Sequence, residues 1–147
     1  MSAVEKISGR LALGAVQHGQ AADFYGFMRV GSIHLKRVKI VGELAPLLRD
    51  GEICTVWVAR VKVPTPLFFS TVTSVIYAIE VEGTLYKAVE ETRRYWNGSR
   101  AWQAFMLAIA GFPTMFLVGL GLLLWINAVR LMVGSGLPVE KMRGEPA

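Results

Sequence analysis

Between Arg100 and Arg130 lie 29 consecutive residues without a charge, AWQAFMLAIAGFPTMFLVGLGLLLWINAV. No other feature of the chain limits its fold so strongly. At 1.5 Å per residue, about 20 apolar residues cross a hydrocarbon core of roughly 30 Å, and this run is longer. A core helix of a soluble domain carries a polar stripe at period 3.6, whereas this segment is apolar all round. Trp102 and Trp125 are 23 residues apart, about 34 Å of helix, which suits interfacial aromatics at the two edges of a bilayer. Two complete spans need about 40 residues, so the run is read as one transmembrane helix over residues 101–130. Pro113 should kink it, with Thr114 beside it to satisfy the freed carbonyl. Ala104, Ala108 and Gly111 share one helical face and are candidates for seating a partner helix, including that of a second copy of the chain.

The charges elsewhere are mixed. Residues 1–100 hold 13 Lys/Arg against 9 Asp/Glu, a mild excess rather than the clustered basic stripe of a nucleic-acid binder. Only 18% of the chain is charged, against about 25% in an ordinary soluble domain. Cys54 is alone, which excludes an intramolecular disulfide, and its apolar β-type surroundings predict a small buried hydrophobe. The first ten residues contain no uninterrupted apolar stretch of the secretory kind, and Ser2 stands where myristoylation requires glycine. The membrane signal is therefore expected to be internal. This predicts an integral protein of the cell or inner membrane, with residues 1–96 in the cytoplasm and the tail across the bilayer. Arg93, Arg94, Tyr95, Trp96, Arg100 and Trp102 form a basic and aromatic flank on one side of the run, and Trp125 and Arg130 lie at the other end. All eight are candidate membrane-interface residues.

Residues 1–87 read as a small β-domain. In Glu52–Val63, Ala59, Val61 and Val63 alternate with Arg60 and Lys62, while the first half is apolar on both faces. Ser74–Glu82 alternates as well, and Glu82-Gly83-Thr84 offers a tight reversal into Leu85–Val89. Its acidic side could pair with Arg60 and Lys62. Further strands are expected at Ile7–Val16, Phe24–Val30 and Ile33–Val41, the last with a slip at Lys36-Arg37 that suggests a bulge. Ala45–Gly51 reads as a helical turn ended by Asp50-Gly51. Five or six short strands of this kind suggest a small antiparallel β-barrel, OB-like or SH3-like. The fold class is thus mainly β plus one transmembrane helix: β-domain 1–87, helical linker 88–100 broken at Asn97-Gly98, helix 101–130, and a short polar tail 131–147.

Chemistry is sparse. His18 and His34 have no nucleophile motif beside them, no zinc-ligand spacing is present, and phosphate-cradling glycine motifs are absent. No cofactor, metal or catalytic group is expected. Two surfaces are candidate interaction sites: the apolar loop Leu67-Phe68-Phe69, and Lys36, Arg37 and Lys39 with aromatics upstream. The expected function is non-enzymatic: a membrane-held β-domain engaged in protein–protein interaction, as an accessory or scaffold subunit of a membrane complex. The alternative is a membrane-tethered ligand or nucleic-acid sensor, and a cryptic enzyme would require a pocket joining His18, Asp23 and His34.

Overall fold

The computed structural model describes residues 3–64, 69–114, 119–134 and 136–144. Among these, seven strands form one mixed sheet: β1 (Ala3–Leu13), β2 (Val16–Gln17), β3 (Ala22–Val30), β4 (Ile33–Val41), β5 (Ile53–Pro64), β6 (Ser70–Val81) and β7 (Thr84–Lys87). Five of them close a ring of pairings, β1–β5–β6–β4–β3 and back to β1. β2 lies beyond β3, and β7 pairs with β6 through the two-residue turn Glu82-Gly83. Both turn residues have positive φ, 51° and 79°, as a type I′ hairpin needs.

The expectation of a purely antiparallel sheet is corrected: β4 and β6 run parallel, with Val38 opposite Ser74 and Ile40 opposite Ile76. The cause lies in the connection after β4. A 3-10 turn, Ala45–Leu47, carries the chain across the ring to β5 beside β1. β6 then returns between β5 and β4, and two reversals restore the original direction. Leu44 and Leu48, flanking that turn, are buried in the ring's core. β1 makes the other corner, leaving β5 after Arg10 and joining β3 from Leu11. A side chain at Gly9 would meet the Gly31 backbone at 2.6 Å, so the crossing requires glycine.

Ile7, Leu11, Tyr25, Met28, Leu35, Val38, Ile40, Val56, Val58, Ile76 and Ile79 fill the ring. The slip expected at Lys36-Arg37 is present, yet no residue is inserted between β3 and β4. Tyr25 faces Val38 and Phe27 faces Lys36 in unbroken register. Instead both strands change phase together, with Gly26 opposite an Arg37 at φ 52°. Arg60 does not meet Glu80 or Glu82: Glu80 faces Thr55 and Arg60 faces Ser74. The partner of Arg60 is Glu5 on β1, at 2.7 Å.

The outer face of β5 and β6 is covered too, which explains their apolarity on both sides. Residues 73–79 of β6 are all buried. The register between β5 and β6 shifts at Trp57/Val58, leaving Tyr77 as a bulge. The Tyr77 carbonyl accepts a hydrogen bond from the Ala88 amide at 2.9 Å, which ties down the start of α1 (Val89–Thr114). On this face Trp57, Ala59 and Tyr77 pack against Val89, and Val61 and Val75 pack against Trp96.

Three expectations for the carboxy-terminal half are revised. First, α1 runs without interruption through Asn97-Gly98. A lone helical glycine costs only about 1 kcal/mol, and the buried Trp96 outweighs it. Second, the uncharged run is not one helix over 101–130. α1 ends at Thr114, one residue past Pro113, and α2 (Leu120–Gly134) runs back antiparallel beside it. Gly111, Pro113, Gly119 and Gly121, all poor helix formers, cluster at the middle of the run, and Gly119 has φ 85° just before α2. Third, the tail does not lead away from the β-domain. α3 (Val139–Gly144) returns to it, with Met142 fully buried beside Trp57 and Tyr77. Arg143 binds Glu90 through Nε at 3.0 Å and also through Nη2.

Three measurements check this arrangement. Met142→Ala should destabilise the fold by about 2–5 kcal/mol in denaturant titrations followed by tryptophan fluorescence. The Arg143 hydrogen bond holds the Glu90 carboxyl below its ordinary value. That contact therefore stabilises tail docking at neutral pH and is lost as the pH falls through the lowered value. Acidification from about pH 7 to about pH 3 should expose the tail to an acid-active protease. Burial, with Glu52 nearby, pushes the Cys54 thiol up, so maleimide labelling of the native chain at neutral pH should be slow and become rapid in urea.

Candidate membrane interface

α1 and α2 are built inside out relative to a water-soluble helix pair. Small residues bring them close: Ala104 and Ala128 pack with Leu131, and a Cβ on Gly111 would lie 2.8 Å from the Trp125 ring and 3.3 Å from the Gly121 carbonyl oxygen. Most of the large apolar side chains stay exposed. Trp102, Phe105, Met106, Ile109 and Phe112 on α1 are exposed, as are Leu122, Leu123, Trp125, Ile126, Val129, Met132 and Val133 on α2. Burial from water would turn the large side chains inward, whereas in lipid small residues at the contact allow close approach while large ones meet acyl chains. The face marked by Ala104, Ala108 and Gly111 is therefore a helix-packing face, and α2 of the same chain occupies it.

Arg100 closes the base of this pair. Its Nε and Nη2 donate to the Leu131 carbonyl at 3.1 and 2.9 Å, and Nη2 also donates to that of Met132. These carbonyls belong to the last turn of α2, where a cation satisfies unpaired acceptors and complements the helix dipole. The Asn127 side chain, buried inside the uncharged run, donates to the Leu123 carbonyl at 2.9 Å. By length and composition, the carboxy-terminal helical stretch Gly121–Gly144 is apolar enough to cross a membrane. α2 itself has 15 residues, about 22 Å of helix, and α3 lies beyond Pro138 on the β-domain.

The structure separates the expected interface residues. Arg100, Arg130 and Trp102 share the base of the pair. Trp125 packs beside Gly111, about 13 Å further along α1 than Trp102, so the two tryptophans do not bracket a 34 Å span. Tyr95 is half-buried and Trp96 buried against the sheet, where they hold α1 to the β-domain. The Lys39 ammonium lies 5.9 Å from the Tyr95 ring and 5.5 Å from that of Trp96. Burial there lowers the Lys39 pKa. Arg93 pairs with Glu90 at 3.7 Å. Arg94 lines a cavity of about 630 Å³ together with Glu43 and Glu91.

Lys39 is thus split from Lys36 and Arg37. Those two line a separate cleft of about 380 Å³ with His34, Arg60, Thr71 and Ser74, and Lys36 faces the exposed Phe27 across the strands. Of the apolar loop, Leu67 and Phe68 lie outside the described residues, and Phe69 is exposed. His18 contacts Asp23 at 3.1 Å, but His34 pairs with Arg29 at the far end of β3, about 20 Å along the strand. The three do not form a pocket. Among the described residues, no group of three or more His, Cys, Asp or Glu is placed to hold a metal ion.

Neither a protein-family model, nor a curated protein, nor a solved structure matches the chain.

What sequence reading missed was the pairing of Arg100 with the end of α2. The available signal was the cluster of Gly and Pro at 111–121 together with basic residues flanking the run at both ends. Gly111→Leu should force α1 and α2 apart and cost about 1–3 kcal/mol, read as a lower thermal midpoint in detergent.

Proposed function

We infer that the protein is a membrane-held binding module, an accessory or scaffold subunit whose β-domain recognises a protein partner while α1 and α2 sit in lipid as a hairpin. The observation that carries this reading is the row of large apolar side chains turned outward on two helices whose opposite ends are both fastened to the β-domain. Such a hairpin enters the bilayer from one side and returns to it. From Arg100 to Thr114 the described arm is about 21 Å long, past the middle of a core of roughly 30 Å. Arg100, Arg130, Lys141 and Arg143 then share one side, and the positive-inside rule favours the cytoplasmic one.

The ring order supports an OB-like barrel for residues 1–87. Five strands paired in this sequence, closed between the first and second long strands, with a short turn between the third and fourth, have the Greek-key character of that architecture. A barrel fixed at a bilayer works in a thin layer, which raises its effective concentration for membrane partners without any new contact.

A second reading rests on the pair of Phe27 and Lys36, with Arg29 and His34 adjoining on the β3–β4 face, where OB-like barrels take single strands. On that reading oligonucleotide binding is salt-dependent and weakened by Lys36→Glu with Arg37→Glu; binding that ignores both changes would remove it.

The hairpin reading makes a topological prediction. In a Cys54→Ser background, Gly83→Cys and Lys141→Cys should react with a membrane-impermeant maleimide from the same side of sealed vesicles, with the chain resisting carbonate extraction. Labelling from opposite sides would establish a single crossing instead.

A further inference from the structure

We propose that the cleft between the β-domain and the base of α2 seats the head group of an anionic phospholipid. This rests on the membrane reading above and adds a ligand to it. The cleft has a volume of about 400 Å³ and is lined by Lys62, Pro64, Ser70, Val129, Arg130 and Val133, within the range of about 300–1,000 Å³ usual for small-molecule sites.

Its chemistry is divided in the manner of such a lipid. Lys62 and Arg130 supply two cations for a phosphate, and Ser70 supplies a hydroxyl donor. Val129 and Val133, among the most exposed apolar residues on α2 at 58% and 80%, continue from the cleft along the helix as a surface for an acyl chain. Among the described residues, no carboxylate lines it. The charge arises from strand geometry. Arg60 and Lys62 continue the side of β5 that carries Val56 and Val58 inside the ring, so past the core this side turns from apolar to basic. Arg60 is held by Glu5, while Lys62 is exposed and lines the cleft beside Arg130. The height is also suitable: Arg130 adjoins Leu131, which Arg100 grips, so the cleft lies at the level where the hairpin leaves the sheet.

The test uses the full chain in nanodiscs of phosphatidylcholine mixed with phosphatidylglycerol, with retained lipids counted by native mass spectrometry. Wild type should retain phosphatidylglycerol preferentially. Lys62→Glu, and separately Ser70→Asp, should lower that preference at least about fivefold while carbonate resistance and near-ultraviolet circular dichroism stay unchanged. Equal retention in wild type and both variants overturns the site and leaves the hairpin standing. Displacement of the lipid by millimolar inorganic phosphate would assign the cleft to a free anion and also overturns it. A full chain that fails to float with vesicles removes the membrane reading itself, and the lipid site with it.

Discussion

Both ends of the uncharged run are fastened to the same sheet, and that constraint governs the rest of the molecule. At one end Trp96 is buried against Val61 and Val75; at the other, Met142 is buried beside Trp57 and Tyr77. Burying a side chain of this size stabilises by about 1.5–3 kcal/mol. A single crossing with the tail on the far side would forfeit the second anchor. It would also carry Glu140, Lys141 and Arg143 through lipid, where each charge costs about 2.5–3.5 kcal/mol or more at the bilayer centre. Folding back avoids both costs.

The sheet can hold two anchors because β5 and β6 are apolar on both sides. Val56, Val58, Ile76 and Ile79 serve the interior of the ring, while Trp57, Ala59, Val61, Val75 and Tyr77 serve the helices. The far end of β6 joins these roles: the Tyr77 carbonyl, next in register after the Ala78–Lys87 pair with β7, accepts from the Ala88 amide and so sets where α1 begins. Strand pairing and helix position are linked through that one carbonyl.

The strands were legible because their signals are local. Ala59, Val61 and Val63 alternate with Arg60 and Lys62 within one strand, and Glu82-Gly83 is turn chemistry confined to two residues. The parallel pairing of β4 with β6 was not legible, since it depends on where a three-residue turn after β4 sends the chain. The two-sided apolarity of ICTVWV pointed to cover on both faces without saying that α1 and the tail provide it. The hairpin was hidden by its own composition: a run that is apolar all round gives no periodic signal to mark a change of direction. Only the Gly and Pro residues did, and these are tolerated in continuous membrane helices too. Trp102 and Trp125, spaced as if for the two ends of one helix, lie on two antiparallel helices, because sequence distance measures path length and not displacement.

On the proposed reading, with the hairpin in lipid, Arg100 explains why the base sets its position: a cation gripping the end carbonyls of α2 has its charge partly compensated in place, so it tolerates the boundary between sheet and lipid. Along each arm toward the tip there is no further charge to hold the helices at a particular depth. What limits depth is therefore the β-domain itself: α1 is tied along its first two turns to the sheet, and Arg130 and Lys62 stand at the exit. One face of β5 and β6 is committed to the helices. On the proposed reading the faces left for a partner are those of β3 and β4 away from α1, where Phe27 and Lys36 lie, and recognition and anchoring then fall on opposite sides of one small ring.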